Sequence, residues 1–174
     1  FFSTLQAAGI LAGLGMARLM AMLHQHIQSA LGDSMFLACA FALAELGEGR
    51  LKVYNCALGP VRVLHVGASD RVQSVSLDPD LPPLGSDAFP LDRIKGHSLR
   101  LVPGTKVVLA TDGFADMRNY EGQSFGDEAL SALLLTHAAS SAAALKDQCV
   151  RSIDEWIAEA PQADDITFAI LEFR

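Results

Sequence analysis

Arg50-Leu51-Lys52-Val53-Tyr54-Asn55-Cys56-Ala57-Leu58-Gly59-Pro60-Val61-Arg62-Val63-Leu64-His65-Val66 holds two short runs of strand-type residues parted by a Gly-Pro break. The first run alternates around Leu51, Val53 and Cys56, the period-two pattern of a half-buried strand. Val61 to Val66 predicts a second strand. Gly67-Ala68-Ser69-Asp70 reads as a turn, and Arg71 to Leu77 alternates again through Val72 and Val75. Strand signals this closely spaced predict an antiparallel meander.

On the N-terminal side, Met35 to Glu45 is a continuous apolar run closed by Gly47-Glu48-Gly49. Before it, Met16, Leu19, Met20, Leu23, Ile27, Ala30 and Leu31 recur at helical spacing, with His24, Gln25 and Gln28 off that face. Gly15 separates this helix from an earlier apolar piece ending near Ala12, so a helical hairpin is expected. On the C-terminal side, Asp78 to Pro90 carries four prolines and a glycine and reads as a loop. Residues 93–102 and 106–111 predict two strands around Pro103-Gly104. Helices return over Phe125–Thr136 and from a Ser140 or Ser141 cap to about Glu159, where Pro161 stops the pattern. Ile166 to Phe173 is a last strand. Helices, strands, helices, strand is the order of an α+β domain, with helices packed on antiparallel sheet.

The chain has 174 residues, 51% of them hydrophobic, and its 13 Lys+Arg against 20 Asp+Glu give a net charge of −7. That composition supports an ordered core, and the length sets an expectation of one domain over residues 1–174. The acidic balance and the lack of any basic run argue against nucleic acid as a partner. Phe1 to Leu23 is apolar, but Ser3, Thr4, Gln6, Arg18 and three glycines interrupt it, so core helix is expected rather than a membrane span. The apolar Phe1–Leu14 segment is read as packing against further chain or another subunit. Cys39, Cys56 and Cys149 form no CxxC and are read as small buried hydrophobes, which suits a reducing, cytoplasmic setting.

Two places put carboxylates where a fold usually avoids them. Thr111-Asp112-Gly113 follows the apolar strand Lys106-Val107-Val108-Leu109-Ala110, and Asp164-Asp165 precedes Ile166-Thr167-Phe168-Ala169-Ile170. Two unit charges about 4 Å apart repel by about 4 kcal/mol at an effective dielectric of 20. A proton or a cation relieves such a pair, and hard divalent cations prefer carboxylate oxygens. Equally, Asp112 makes a turn with Gly113, and Asp164 caps a bend.

Val107 to Asp116, with Asn119, Glu121-Gly122 and Phe125-Gly126, resembles a motif of the bacterial metal-dependent serine phosphatases. These are the PPM (protein phosphatase 2C-like) family, in the branch of the stage II sporulation protein E and the sigma-B regulator phosphatases. Ala163-Asp164-Asp165-Ile166-Thr167 resembles that branch's closing motif, Leu81-Pro82-Pro83-Leu84-Gly85 its proline-leucine-glycine loop, and Arg50 to Val66 the strand pair around an asparagine–glycine-rich turn. The resemblance runs from about Met16 to Phe173. It implies an antiparallel β-sandwich flanked by helices, with the metal site at one edge. It also implies two Mn2+ or Mg2+ ions held by aspartates, and a water activated between them that attacks phosphoserine or phosphothreonine. The carried-over metal positions are Asp112 and Asp164, which are also the catalytic candidates, with Asp165 beside them in a supporting place. Asp116 matches an acidic position of the motif and equally suits a solvated loop.

The sequence departs from the family twice. The family's first motif, an aspartate shortly before a glycine-histidine-glycine-like turn, has no counterpart, so the expectation is a fragment of a longer regulatory chain lacking its first strands. Ala57-Leu58-Gly59-Pro60 stands where the family has a histidine before its proline. Two functions of different class follow. One is a phosphoprotein phosphatase acting on a phosphorylated regulatory protein, for which the family suggests an anti-sigma-factor antagonist. The other is a non-catalytic interaction module that keeps the fold around an incomplete metal site. Elsewhere the chemistry is sparse. His24 and His26 point to different sides of a helix and are read as surface or partly buried. His65, His97 and His137 have no acidic or cysteine partner at ligand spacing. Arg118 suits a substrate phosphate or plain solvation.

Overall fold

The computed structural model describes residues 15–31, 35–67 and 71–174. The expected helix over the first dozen residues and most of the 67–70 turn lie outside them. The elements run α1 (Met16–Leu31), β1 (Cys39–Glu45), β2 (Arg50–Cys56), β3 (Val61–Val66), β4 (Val72–Leu77), β5 (His97–Arg100), β6 (Lys106–Ala110), α2 (Gly113–Asp116), α3 (Asp127–Thr136), α4 (Ala142–Ile157) and β7 (Phe168–Glu172).

Two antiparallel sheets form, one in the order β1-β2-β5 and one in the order β4-β3-β6-β7. The alternation along each strand assigns its faces. Leu51, Val53, Val61, Val63, Leu77 and Val107 bury one another between the sheets. On the outer face of the smaller sheet, Cys56 and Tyr54 meet Leu19, Met20, Leu23 and Ile27 of α1. On the outer face of the larger sheet, Leu64, Val108 and Ala110 meet Leu130 and Leu134 of α3 and Leu145 and Cys149 of α4. The result is helix, sheet, sheet, helices: the sandwich that the resemblance implies.

The meander expected through residues 50–77 is corrected. β2 and β3 do not pair; the chain changes sheets between them. The corner is built around Asn55, which is wholly buried. Its Nδ2 donates to the carbonyls of Gly59 (3.1 Å) and Leu77 (3.3 Å), and its Oδ1 accepts from Leu58 N–H (3.1 Å). Ala57 takes a φ of 59°, so the turn bends too sharply for the strands to run on as a hairpin. Pro60 then supplies no N–H donor at the entrance to β3.

His24 is also corrected: it is 4% exposed, not a surface residue. Its Nδ1 accepts the Gly85 N–H at 3.1 Å, and its ring stacks on Phe89 with centroids 4.8 Å apart. The Leu81–Gly85 loop is thereby fixed to α1, and Leu37 and Leu84 exchange two backbone hydrogen bonds beside it. Gly85 has a φ of 94°, and a side chain there would meet Ile27 Cγ2 at 2.7 Å. Asp80, just ahead of this loop, reaches back to the smaller sheet. Its Oδ2 lies 3.6 Å from His97 Nε2, a pairing across 17 residues.

Candidate functional site

The site is built where β6 ends and β7 begins. The pairing of these strands runs past their ends, because Thr111 N–H donates to the Thr167 carbonyl at 2.9 Å. The Thr111 hydroxyl completes the link. It accepts the Thr167 N–H at 3.1 Å and donates to the Thr167 carbonyl at 3.2 Å. Asp112 and Asp165 are therefore carried to neighbouring positions at one edge of the larger sheet. Gly113 is buried hard against the Asp165 backbone, where a side chain would collide with the Asp165 carbonyl oxygen. The glycine is what permits this close approach.

Below this edge lies an aromatic support. Phe114 packs against Phe125 (centroids 5.9 Å apart) and edge-on against Phe168 (5.5 Å), and Phe125 meets Trp156 edge-on at 5.4 Å. These rings join α2, the loop after it, α4 and β7 into one base. Trp156 Nε1 donates to the Met117 carbonyl at 3.3 Å, which fixes the end of α2.

The acids themselves are exposed. The expectation that Asp164 and Asp165 stand directly before a buried strand starting at Ile166 is corrected, since β7 starts at Phe168 and water reaches both acids. Each acid also does local work. Asp112 Oδ1 accepts from Gly113 N–H at 3.0 Å, and Asp164 Oδ1 accepts from Asp165 N–H at 2.7 Å. Gln162 Nε2 donates to the Asp164 carbonyl at 2.7 Å and holds the approach loop in place. A cleft of about 210 Å³ opens beside them, lined by Gly113, Asp116, Met117, Arg118, Gln162 and Asp164 among others. Asp116 and Asp164 thus share one cleft, whereas Asp112 and Asp165 are not among its lining residues but adjoin Gly113 and Asp164 in the chain. Arg118 brings a positive charge to the cleft while donating from Nη1 to the Gly122 carbonyl at 2.7 Å.

Among the described residues, none of Asp112, Asp116, Asp164 and Asp165 makes an ion pair with a basic side chain. Nor do three or more His, Cys, Asp and Glu side chains gather within metal-holding range there. As donors, these carboxylates fit a hard divalent cation in chemistry, and among the described residues no ion pair occupies them. They are not drawn into a cage. Gln162 and the place of Asp116 in the cleft escaped the reading of the sequence. The signal for Asp116 was its spacing, one helical turn after Asp112.

A two-sheet sandwich with helices on both outer faces is the architecture of the PP2C-like phosphatase domains. The chain belongs to the stage II sporulation protein E (SpoIIE) family, whose model matches residues 2–174. Its fold is similar to the SiaA-PP2C domain of Pseudomonas aeruginosa, with a TM-score of 0.63 and 22% identity over 90% of this chain and 69% of that one. It is similar to the RsbU and RsbW domains of Rv1364c from Mycobacterium tuberculosis, with a TM-score of 0.70 and 17% identity over 98% of this chain and 45% of that one. It is also similar to the Mn-presoaked phosphatase domain of SpoIIE from Bacillus subtilis, with a TM-score of 0.60 and 12% identity over 98% of this chain and 72% of that one. At these identities the likeness is one of fold. No curated protein matched the sequence.

Proposed function

We propose that residues 1–174 are a single catalytic domain that hydrolyses phosphoserine or phosphothreonine on a bacterial regulatory protein. The class of substrate suggested by the family is an anti-sigma-factor antagonist. The observation that supports this reading most is the acidic edge: four exposed carboxylates, two on the adjoining ends of β6 and β7, with no basic partner among the described residues. Asp112 and Asp164 would hold Mn2+ or Mg2+, two ions in the complete family site, and Asp165 would support them. Such ions supply Lewis acidity, a water acidified towards neutrality and charge to offset the phosphoryl group.

The chain's own groups define the rest. A phosphate dianion approaching Asp116 and Asp164 meets like charge, so this cleft accepts it only when cations stand on the acids. Arg118 has donors left after its bond to Gly122, and its planar fork suits a phosphoryl oxygen pair. The hydrogen bonds from Gly113 N–H and Asp165 N–H each occupy one oxygen of Asp112 and Asp164, both exposed residues, and leave the other oxygen available as a donor to a cation. The net charge of −7 argues against nucleic acid as a partner, and among the described residues no helix is long and apolar enough to cross a membrane. A cytoplasmic phosphoprotein is the partner this reading calls for.

The test is a calorimetric Mn2+ titration of the chain and of Asp112→Asn and Asp164→Asn, followed by phosphate release from a phosphoserine protein. Saturable heat lost in both variants, with turnover in the wild type, is the expected result. Absence of metal binding to the wild type overturns the proposal. Metal binding without turnover on any phosphoprotein would favour the interaction-module reading instead.

A further inference from the structure

Cys39 and Cys56 stand directly opposite one another across β1 and β2, at the end of the strand pair that α1 covers. Neither is in a disulfide. Directly opposed residues of an antiparallel pair have Cα atoms roughly 4.5–5.5 Å apart, inside the roughly 4.4–6.8 Å that a disulfide spans. Both side chains leave the same face of the sheet, so the two thiols stand side by side across the strand pair. We propose that Cys39 and Cys56 are a hydroperoxide-sensitive dithiol that closes reversibly to a cross-strand disulfide beneath α1.

The environments of the two sulfurs divide the chemistry between them. Cys39 is half-buried at the edge strand, whereas Cys56 is wholly buried. Cys39 is the more accessible sulfur, and a hydrogen bond from the adjacent Cys56 thiol favours its thiolate and lowers its pKa against the opposing effect of burial. The same bond, together with burial, pushes the Cys56 thiol up and keeps its proton in place. Cys39 is thus the attacking sulfur and Cys56 the resolving one. Cys39 thiolate attacks an oxygen of the hydroperoxide, and the O–O bond breaks to leave a sulfenic acid and an alkoxide. The alkoxide takes the Cys56 proton and departs as the alcohol, or as water when the oxidant is hydrogen peroxide. Cys56 thiolate then attacks the Cys39 sulfur, the S–S bond forms, and hydroxide leaves and is protonated. Two thiols and one hydroperoxide become a disulfide, an alcohol and water. Cys149 is buried between α4 and the larger sheet, with its thiol pushed up to about 11 by burial, and serves as the internal control.

The experiment treats the folded chain with a small excess of hydrogen peroxide and maps the product by intact mass and peptide mass spectrometry. The expected product has lost two hydrogens, joins the Cys39 and Cys56 peptides, keeps Cys149 free and reverts with dithiothreitol. In Cys56→Ser the reaction stops at a sulfenic acid on Cys39 that dimedone traps, and in Cys39→Ser the remaining thiols stay unmodified. Three free thiols after treatment, or two oxygens added to Cys39 without a cross-link, would overturn the proposal. The wild-type map decides between these outcomes even if a serine variant fails to fold.

Discussion

Gly113 and Glu172 show how single residues hold this molecule together. At Gly113 an added methyl would collide with the Asp165 carbonyl oxygen, a backbone atom that also accepts from the Thr111 hydroxyl at 3.5 Å. Gly113→Ala should therefore cost about 1–3 kcal/mol in urea unfolding, the usual price of overpacking a site that cannot yield. It should also weaken Mn2+ binding, because the relief available is to part the two acid-bearing strand ends. Glu172 acts through its charge. Its carboxylate accepts the Ala142 N–H at 3.2 Å, which holds its pKa below the ordinary 4.5, with Lys106 and Arg174 adding to the effect. A depressed folded pKa gives stability that is full above the unfolded value and is lost as pH falls through the folded one. Thermal melts should show Tm falling on acidification from about pH 4.5 downward. Glu172→Gln keeps an acceptor for Ala142, lowers Tm at neutral pH and flattens that acid slope. An unchanged slope in the variant would mean that the acid loss arises elsewhere. Of these features, the Asp-Gly pair at the strand end was legible in the sequence, because it breaks an apolar run. The partners of Glu172 were not, since Ala142 lies 30 residues away and nothing local announces the contact.

At the scale of elements, α3 is fastened to the larger sheet by Arg62 of β3. The guanidinium side chain is 8% exposed and pairs with Asp127 in the first turn of α3, donating also to Ser131 Oγ at 3.3 Å and the Pro60 carbonyl at 3.2 Å. Asp127 is 60% exposed, so the two partners are not equivalent. Asp127→Ala leaves a buried cation without its counter-charge and should cost about 3 kcal/mol. Arg62→Met removes the buried charge and leaves Asp127 to water, so its cost should be about 1 kcal/mol. The reverse order in chemical denaturation would show that Arg62 is held by packing rather than by charge. Similarly, Ser141 Oγ caps α4 by accepting from Ala144 N–H at 3.3 Å, as its place before an apolar periodic run predicts. Among the described residues the three longer helices and the strands were legible to within a few residues because their apolar periods are local, whereas the one-turn helix Gly113–Asp116 has no such period. Which strands pair was not legible. The Gly-Pro break marks a turn, but the sheet to which the chain turns is decided by Asn55, whose partner at Leu77 is 22 residues distant. His24 escaped for the same reason, since it is buried by Phe89 and Gly85 of a loop far along the chain.

The whole molecule carries a net charge of −7 and concentrates Asp112, Asp116, Asp164 and Asp165 at one sheet edge. If these acids hold a metal as proposed, stability and metal binding are a linked pair. Without metal, each exposed acid repels its neighbours, so Asp112→Asn and Asp164→Asn should change stability by about 0.5 kcal/mol or less, in the favourable direction. Asparagine oxygens still accept the Gly113 and Asp165 N–H groups, so the local turns survive the exchange. With Mn2+ at about a hundred times its dissociation constant, the wild type should gain about 2.7 kcal/mol. A variant whose affinity has dropped about a hundredfold should gain under about 0.5 kcal/mol at the same concentration. The order of stability therefore inverts on adding metal, with the variants at or above the wild type before and clearly below it afterwards. Potassium chloride at matched ionic strength separates a site from general screening, because screening acts on all the acids together and cannot reverse the order. Thermal melts of the three proteins in the two salts are enough to decide it. If all three rise equally in Mn2+, the two strand ends do not share a cation, and the acids at this edge serve only solubility and local turns.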